Sequence, residues 1–347
     1  MIEIDGSQKS GSGTILRLAI ALATIQGQPL HITNIRQNRP KAGLKPQHLE
    51  AVLTAAKLCR AETKGAVLGS RELWFTPHAV RGGEFTAEIG TAGSIPMLIM
   101  TVLPICLCSK KSIRLQIRQG GTDAKYAPTL NYLRNVLFPV LGKMGADIQL
   151  IVKRYGYYPK GNGEVILHVK PTGGLKPYRL DNFGEVKEIK GVSVCTFLAN
   201  RQVSERQAKA ASENLQKRGY YSEIQVINDK SNPVQKGSSI VLWAETDMGA
   251  IVGSDAIGEL GKPAEKVGVE AAERLAAELN AKATADVHLS DMLIPYFALV
   301  KGSSAFKTRT ITDHVESNLW LAETITSARF NVRRTGDLYR VEKQAES

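Results

Sequence analysis

The chain has little that would take it out of water or cross-link it. Its longest uncharged apolar stretch, Ala92 to Cys108, is too short to span a bilayer and is broken by Pro96 and Pro104, so it reads as a buried helix. The start, MIEIDGSQKSGSG, lacks a basic segment followed by an apolar one, which excludes a secretory or transit signal there and leaves the cytoplasm as the expected location. Four cysteines, Cys59, Cys106, Cys108 and Cys195, form no CxxC pair and have no histidine at zinc-finger spacing. Buried reduced thiols are expected, with no structural metal. A Walker A loop is also missing, because no Gly-Lys-Ser/Thr follows Gly6 and Gly11.

What the chain does have is length and positive charge. Its 347 residues, 43% hydrophobic and 22% charged, suffice for a large core divided among several compact units. The net charge is +12 and unevenly placed: Glu185 to Lys282 holds 13 Lys and Arg against 14 Asp and Glu, and the remainder 32 against 19. A positive field confined to one part of the chain suits a polyanionic partner, since neutralised phosphates release counterions. Many basic enzymes act on neutral substrates, so charge alone does not decide the partner.

One plan recurs along the chain. A small-residue turn, Gly11-Ser12-Gly13, opens the apolar run Ile15 to Ile25; a strand Leu30 to Ile32, a helix Gln47 to Cys59 and a strand Glu72 to Phe75 follow. The order returns from Gly90-Thr91-Ala92-Gly93-Ser94, with apolar Met97 to Leu107, strand Ile113 to Ile117, turn Gly120 to Asp123, helix Thr129 to Met144 and strands Ile148 to Arg154 and Glu164 to Val169. A third copy is expected from about Asp291, with strand Ala305 to Arg309, helix Val315 to Thr326 and strands Phe330 to Arg333 and Leu338 to Glu342. Leu49, Val52, Leu53 and Ala56, like Leu319, Ala322 and Ile325, repeat at helical spacing. Each unit is two helices against a small sheet and cannot close a core alone; three can pack around a pseudo-axis, with the sheets outside or inside.

Residues 185–282 break the rhythm. They alternate strands with helices Ser204 to Arg218 and Ala264 to Leu279, and Ser204 and Gln207 stand at capping-box spacing. The expectation is an inserted small α/β domain, with 1–184 and 283–347 forming the larger one.

Three segments could carry chemistry. The strand Ile2 to Ile4 leads into a glycine-rich turn and a helix, where backbone amides favour anions, although a tight structural turn explains it equally. In Arg36 to Leu49, four cations crowd a proline-pinned loop that opens a helix, an arrangement costly without an anion. Finally, Thr312 or Asp313 can cap a helix with Glu316 closing a reciprocal cap, which places His314 in its first turn. There a helix dipole disfavours imidazolium, so His314 should keep a nucleophilic lone pair at physiological pH. That context alone fits a structural or merely exposed histidine as well.

Together and in this order, the motifs resemble the RNA 3′-terminal phosphate cyclase family. The likeness rests on Asp5 to Arg17, Arg36 to Leu49, Ile89 to Ser94, Gly120 to Asp123, Gly156 to Gly163, Leu289-Ser290-Asp291 and the His314 segment, nearly the whole chain. It implies an α/β fold of three repeated units, each two helices plus a four-stranded sheet as in enolpyruvate transferases, with a small inserted α/β domain before the third. It also implies ATP as substrate, a divalent Mg or Mn ion, RNA 3′-phosphate ends as partner, no membrane association, and an assembly compatible with a homodimer. His314 becomes the nucleophile that accepts AMP. Arg17, Arg39 and Gln47 are expected around the phosphates, with Arg36 and Lys41 adding field. Pro128 and His288 would flank the adenine, and Asp291, with Leu289 and Ser290 beside it, would orient nucleophile or nucleotide. One departure stands out: Ser10 occupies the place of a glutamate implicated in metal binding, and Asp5 or Glu88 is the nearest substitute. Two rivals remain, a non-catalytic cyclase-like protein of ribosomal RNA maturation, which lacks the histidine, and an enolpyruvyl-type transferase, whose six-unit plan exceeds this length.

Overall fold

The structure is a computed structural model that describes residues 1–345. Its first unit runs β1 (Ile2–Asp5), α1 (Gly13–Gln26), β2 (Leu30–Thr33), α2 (Pro46–Cys59), β3 (Glu62–Lys64) and β4 (Leu73–Thr76), with sheet order β1-β2-β4-β3 and only the β1–β2 pair parallel. The second runs β5 (Gly83–Glu88), α3 (Ile95–Leu107), β6 (Ile113–Gly120), α4 (Leu130–Tyr132), a π-helical turn Leu133–Leu137, α5 (Phe138–Lys143), β7 (Ile148–Arg154) and β8 (Gly163–Val169). Its order, β5-β6-β8-β7, reproduces the first sheet with the same single parallel pair.

The expected helix Thr129 to Met144 is therefore interrupted. Pro139 has no N–H to give to residue 135, and the chain widens by one residue, with the Phe138 N–H bonding to the Leu133 carbonyl.

Between Val186 and Ala281 lie β9 (Val186–Thr196), α6 (Val203–Gln216), β10 (Glu223–Asp229), β11 (Gly237–Thr246), β12 (Ile251–Ile257) and α7 (Ala264–Ala281). They build a fourth sheet, β10-β9-β11-β12, backed by α6 and α7, which pack on each other. The expected capping box at Ser204 does not form: α6 starts one residue earlier, and the Ser204 hydroxyl bonds to Asn228 at 2.8 Å.

The third unit contains α8 (Val287–Ala298), β13 (Ser304–Thr308), α9 (Asp313–Ile325), β14 (Phe330–Thr335) and β15 (Leu338–Lys343), with strand order β13-β15-β14. Its counterpart of β1 is present but lies before the fourth sheet: Arg179 forms a parallel bridge with Ala305, and Leu180 N–H bonds to the Ala305 carbonyl at 2.8 Å. The third copy thus starts near residue 179, not near Asp291. The elements β9 to α7 lie between its first strand and its first helix.

Helices occupy the interior. α1 packs on α2, α3 and α9, and α3 also touches α8. Consecutive residues Leu18 to Thr24 of α1 are all buried, which explains why its sequence is apolar all round instead of striped. At roughly 1.5–3 kcal/mol for each buried Leu or Ile, this shared contact supplies the core that one unit lacks. Of the four free cysteines three are buried; Cys108, expected inside, is exposed just past the end of α3.

Candidate active site

A cleft of about 770 Å³ opens where the first helices of the three units meet the end of β12. Arg17 and Thr14 reach it from α1, Pro128 from the loop after β6, Asp255 from β12, His288 and Asp291 from α8, and His314 from α9. Helix starts supply much of the positioning. Ser12 caps α1 by accepting the Thr14 N–H, and the Thr312 hydroxyl caps α9 by accepting the Val315 N–H at 3.2 Å. The cap is therefore Thr312, and the Asp313 and Glu316 pair does not form the reciprocal one. His314 still lies in the first turn.

The Nδ1 atom of His314 is 3.2 Å from the Thr14 hydroxyl oxygen, which also accepts from Arg17 Nη2 at 3.1 Å. Among the described residues Nε2 has no hydrogen-bond partner. Burial lowers the His314 pKa below its ordinary 6.5, and Arg17 and Arg39 lower it further, with Asp313 opposing. The ring is neutral at physiological pH.

Arg17 is itself desolvated, which pushes its pKa down to about 10, with Asp291 countering the shift, so it stays cationic. Burial raises Asp291 to about 7, against the pull of His288 and Arg17. A carboxyl that titrates near neutrality in a cleft marks a functional position. The backbone carbonyl of Asp291 accepts from Asn318 Nδ2 at 2.8 Å, tying α8 to α9 beside the histidine.

The Arg36–Leu49 loop lies next to this group rather than inside the cleft. Arg36 Nη1 donates to the carbonyls of Lys41 and Gly43, both at 2.8 Å, so it shapes the loop. Arg39 and Lys41 are exposed and meet no acid among the described residues. Gln47 Oε1 accepts the Ser94 N–H at 2.8 Å, joining the loop to the start of α3. Beside it, buried His48 approaches Gly13 so closely that a Cβ there would lie 2.2 Å from the ring Nε2. Leu289 and Ser290 do not reach the cleft: both are fully buried on the inner side of α8.

Sequence reasoning missed Thr14, Asp255 and Asp286. Asp286 caps α8 and accepts from Tyr132 Oη at 2.7 Å and from the Gly253 N–H at 2.8 Å, which fastens β12 to the repeated units. Asp255 Oδ2 accepts the Thr129 N–H at 2.6 Å. Neither was part of a motif recognised in the sequence, and the partners that fix them lie far away along the chain.

No three His, Cys, Asp or Glu side chains among the described residues are arranged to hold a metal ion. Ser10 Oγ instead lies 3.0 Å from both Ser12 Oγ and Ser317 Oγ, a hydroxyl cluster between the amino-terminal turn and α9. Asp5 Oδ1 accepts from Ser7 and Asn34, and Glu88 is exposed on β5. No helix among the described residues is long and apolar enough to cross a membrane.

Fold and cleft define a class: a repeat-built α/β protein with a neutral histidine at a helix start, beside a buried arginine, in a cleft of mixed charge. The sequence model described as RNA 3'-terminal phosphate cyclase matches residues 8–332. Relatives named RNA 3'-terminal phosphate cyclase include those of Pyrobaculum neutrophilum, 44% identical over 98% of this chain and 97% of the relative, and Pyrococcus furiosus, 42% identical over 96% and 95%. That of Methanopyrus kandleri is 40% identical over 100% of this chain and 99% of its own. This chain belongs to the RNA 3′-terminal phosphate cyclase family.

Proposed function

We propose that this protein is an ATP-dependent RNA 3′-terminal phosphate cyclase whose nucleophile is His314. The observation that carries the reading is the placement of that ring: neutral, in the first turn of α9, with Nδ1 held by Thr14 and Nε2 unengaged, in the cleft that Arg17 also lines. Nε2 attacks the α-phosphorus of ATP, the bond to the bridging oxygen breaks, and pyrophosphate leaves. The RNA 3′-phosphate then attacks the same phosphorus, releasing the imidazole and forming a mixed anhydride. The adjacent 2′-hydroxyl closes on the RNA phosphorus, AMP departs, and a 2′,3′-cyclic phosphate remains; the last step is intramolecular and needs little beyond alignment.

In this reading Arg17 neutralises phosphate charge inside the cleft, and Arg39 and Lys41 do so from the adjoining loop. Arg36 and Gln47 act by holding that loop. Pro128 and His288 bracket the base, and Asp291 fixes Arg17. A divalent ion arrives with the nucleotide, because the residues around position 10 do not fit a resident metal. Residues 185–282 serve as a separate small domain whose β12 edge closes one wall of the cleft.

Incubation with ATP labelled at the α-phosphate tests this reading. An acid-labile adenylate is expected on the protein and is expected to be absent from His314→Ala; label retained in that variant would move the nucleophile elsewhere.

A further inference from the structure

The segment Gly156 to Gly163, prominent in the sequence, has no part in adenylation. It forms a rigid shelf. Thr122 N–H bonds to the Gly156 carbonyl at 2.8 Å, and a parallel bridge joins Asp123 to Tyr157. Buried Asn232 donates to the carbonyls of Tyr155 and Gly161 at 2.8 and 2.9 Å. Gly161 has φ +68°, and a Cβ there would lie 2.8 Å from Ala92 Cα, so the shelf abuts the turn that leads into α3. That turn is the one Gln47 holds, and His48, next in sequence, adjoins Gly13. Contact is thus continuous from the shelf to the α1 start beside His314.

Two aromatic side chains stand out from this rigid surface. Tyr158 is 79% exposed, and Tyr126, on the segment that the Asp123–Tyr157 bridge lays alongside, is 89% exposed. A tyrosine usually lays its ring against the protein, and these two do not. Lys160 and Lys236 beside them are exposed and meet no acid among the described residues, and the Lys160 N–H bonds to Gln235, which brings the two lysine segments together. Exposed rings, one of them Tyr126 with Lys125 Nζ 5.6 Å from its centroid, flanked by unpaired lysines and continuous with a phosphate site, match the physical requirements of single-stranded nucleic acid. Bases stack on the rings irrespective of sequence, and the lysines follow the phosphates. A duplex keeps its bases stacked on one another and offers no such faces.

We propose that Tyr158, Tyr126, Lys160 and Lys236 form the docking surface for the single-stranded RNA nucleotides that precede the reacting 3′-phosphate. The proposal rests on the cyclase reading, and it assigns the affinity for longer RNA to a track that leaves the cleft at Tyr126, one of its lining residues, and runs out over Tyr158. A ring lost from the shelf weakens only substrates long enough to reach it.

The test compares a 3′-phosphorylated single strand of about ten nucleotides, long enough to occupy one binding track, with a dinucleotide 3′-phosphate. For Tyr158→Ala, KM for the longer RNA is expected to rise about tenfold, a loss typical of one stacked base, while KM for the dinucleotide, kcat and adenylate formation from ATP alone stay unchanged. Tyr158→Phe keeps the ring and is expected to match the parent. The double variant Lys160→Gln, Lys236→Gln is expected to weaken the longer RNA and flatten its salt dependence. Fluorescence anisotropy of the same oligonucleotide without ATP reads the surface even if His314 proves not to be the nucleophile. Unchanged affinity in both Tyr158→Ala and Tyr126→Ala, equal losses on short and long RNA, or equally tight binding of a blunt duplex would each overturn the proposal.

Discussion

The hydroxyl oxygen of Thr14 lies between two nitrogens, Nδ1 of His314 at 3.2 Å and Nη2 of Arg17 at 3.1 Å. A guanidinium only donates, so Arg17 takes one lone pair of the oxygen. When the second lone pair accepts Nδ1–H, the imidazole presents its own lone pair at Nε2, the atom adenylation needs. Thr14→Val keeps the shape and removes this partner. Adenylate formation is expected to slow about tenfold to a hundredfold, roughly 1.4–2.7 kcal/mol in the barrier, and Thr14→Ser is expected to restore most of it. Single-turnover labelling from ATP gives the rate, and an unchanged rate in the valine variant would deny Thr14 this role.

The acid limb of that same rate follows from the charges around the ring. The nucleophile is neutral imidazole, and burial with Arg17 and Arg39 holds its pKa below 6.5. At pH 6.5 histidine protonation should therefore take less than half of the adenylation rate, and the acid limb should fall at lower pH than for a free imidazole. Arg39→Gln removes one repelling cation, so its acid limb is expected to move to higher pH. A separate limb near 7 that disappears in Asp291→Asn would belong to that carboxyl, which burial raises to about 7. A limb that stays in place in Arg39→Gln would remove Arg39 from the field at His314.

His48 makes a prediction about stability. It is buried, its Nδ1 has no hydrogen-bond partner, and desolvation with Arg17, Arg36 and Lys45 pushes its pKa down to about 2. In the unfolded chain it protonates near 6.5, so between that pH and about 2 the unfolded state holds one more proton. Stability is then full above 6.5 and falls as the pH drops, by at most about 1.4 kcal/mol per unit from this residue. His48→Gln cannot titrate. Urea unfolding at pH 7 and pH 5 should show a smaller acid penalty in the variant, and an equal penalty would place the acid sensitivity elsewhere.

Helical spacing in α2 and α9, and the order of turns, made the three-unit plan legible, because each unit repeats one local pattern. The start of the third unit was not legible: its first strand is a short pairing at Arg179, too brief to show alternation and separated from α8 by the fourth sheet. In the site, His314 could be read in the first turn of a helix from its local sequence, whereas Arg17 and Asp291 were expected there only through the family resemblance. Thr14 could not be ranked above other threonines, since its role depends on a partner 300 positions away. Leu289 and Ser290 misled for the opposite reason, being neighbours in sequence of Asp291 but on the buried side of its helix. Arg36 and Gln47 also showed that a polar residue in a phosphate-like loop can be spent on holding the loop.

The hydroxyl cluster at Ser10 makes the last prediction. A carboxylate at that point would offer a hard anionic ligand beside the nucleotide. Three serine hydroxyls, Ser10, Ser12 and Ser317, instead satisfy one another across the gap between the amino-terminal turn and α9. A divalent ion then has no strong protein ligand there and should bind chiefly through the phosphates of ATP. Removing divalent ions with a chelator is expected to leave the melting temperature unchanged, yet to stop adenylation. On adding magnesium back at several fixed ATP concentrations, the rate should saturate where the nucleotide itself is saturated, so the magnesium requirement moves in step with ATP. A requirement that stays constant as ATP varies, or a melting temperature that falls with the chelator, would show that the protein carries a metal site of its own despite Ser10.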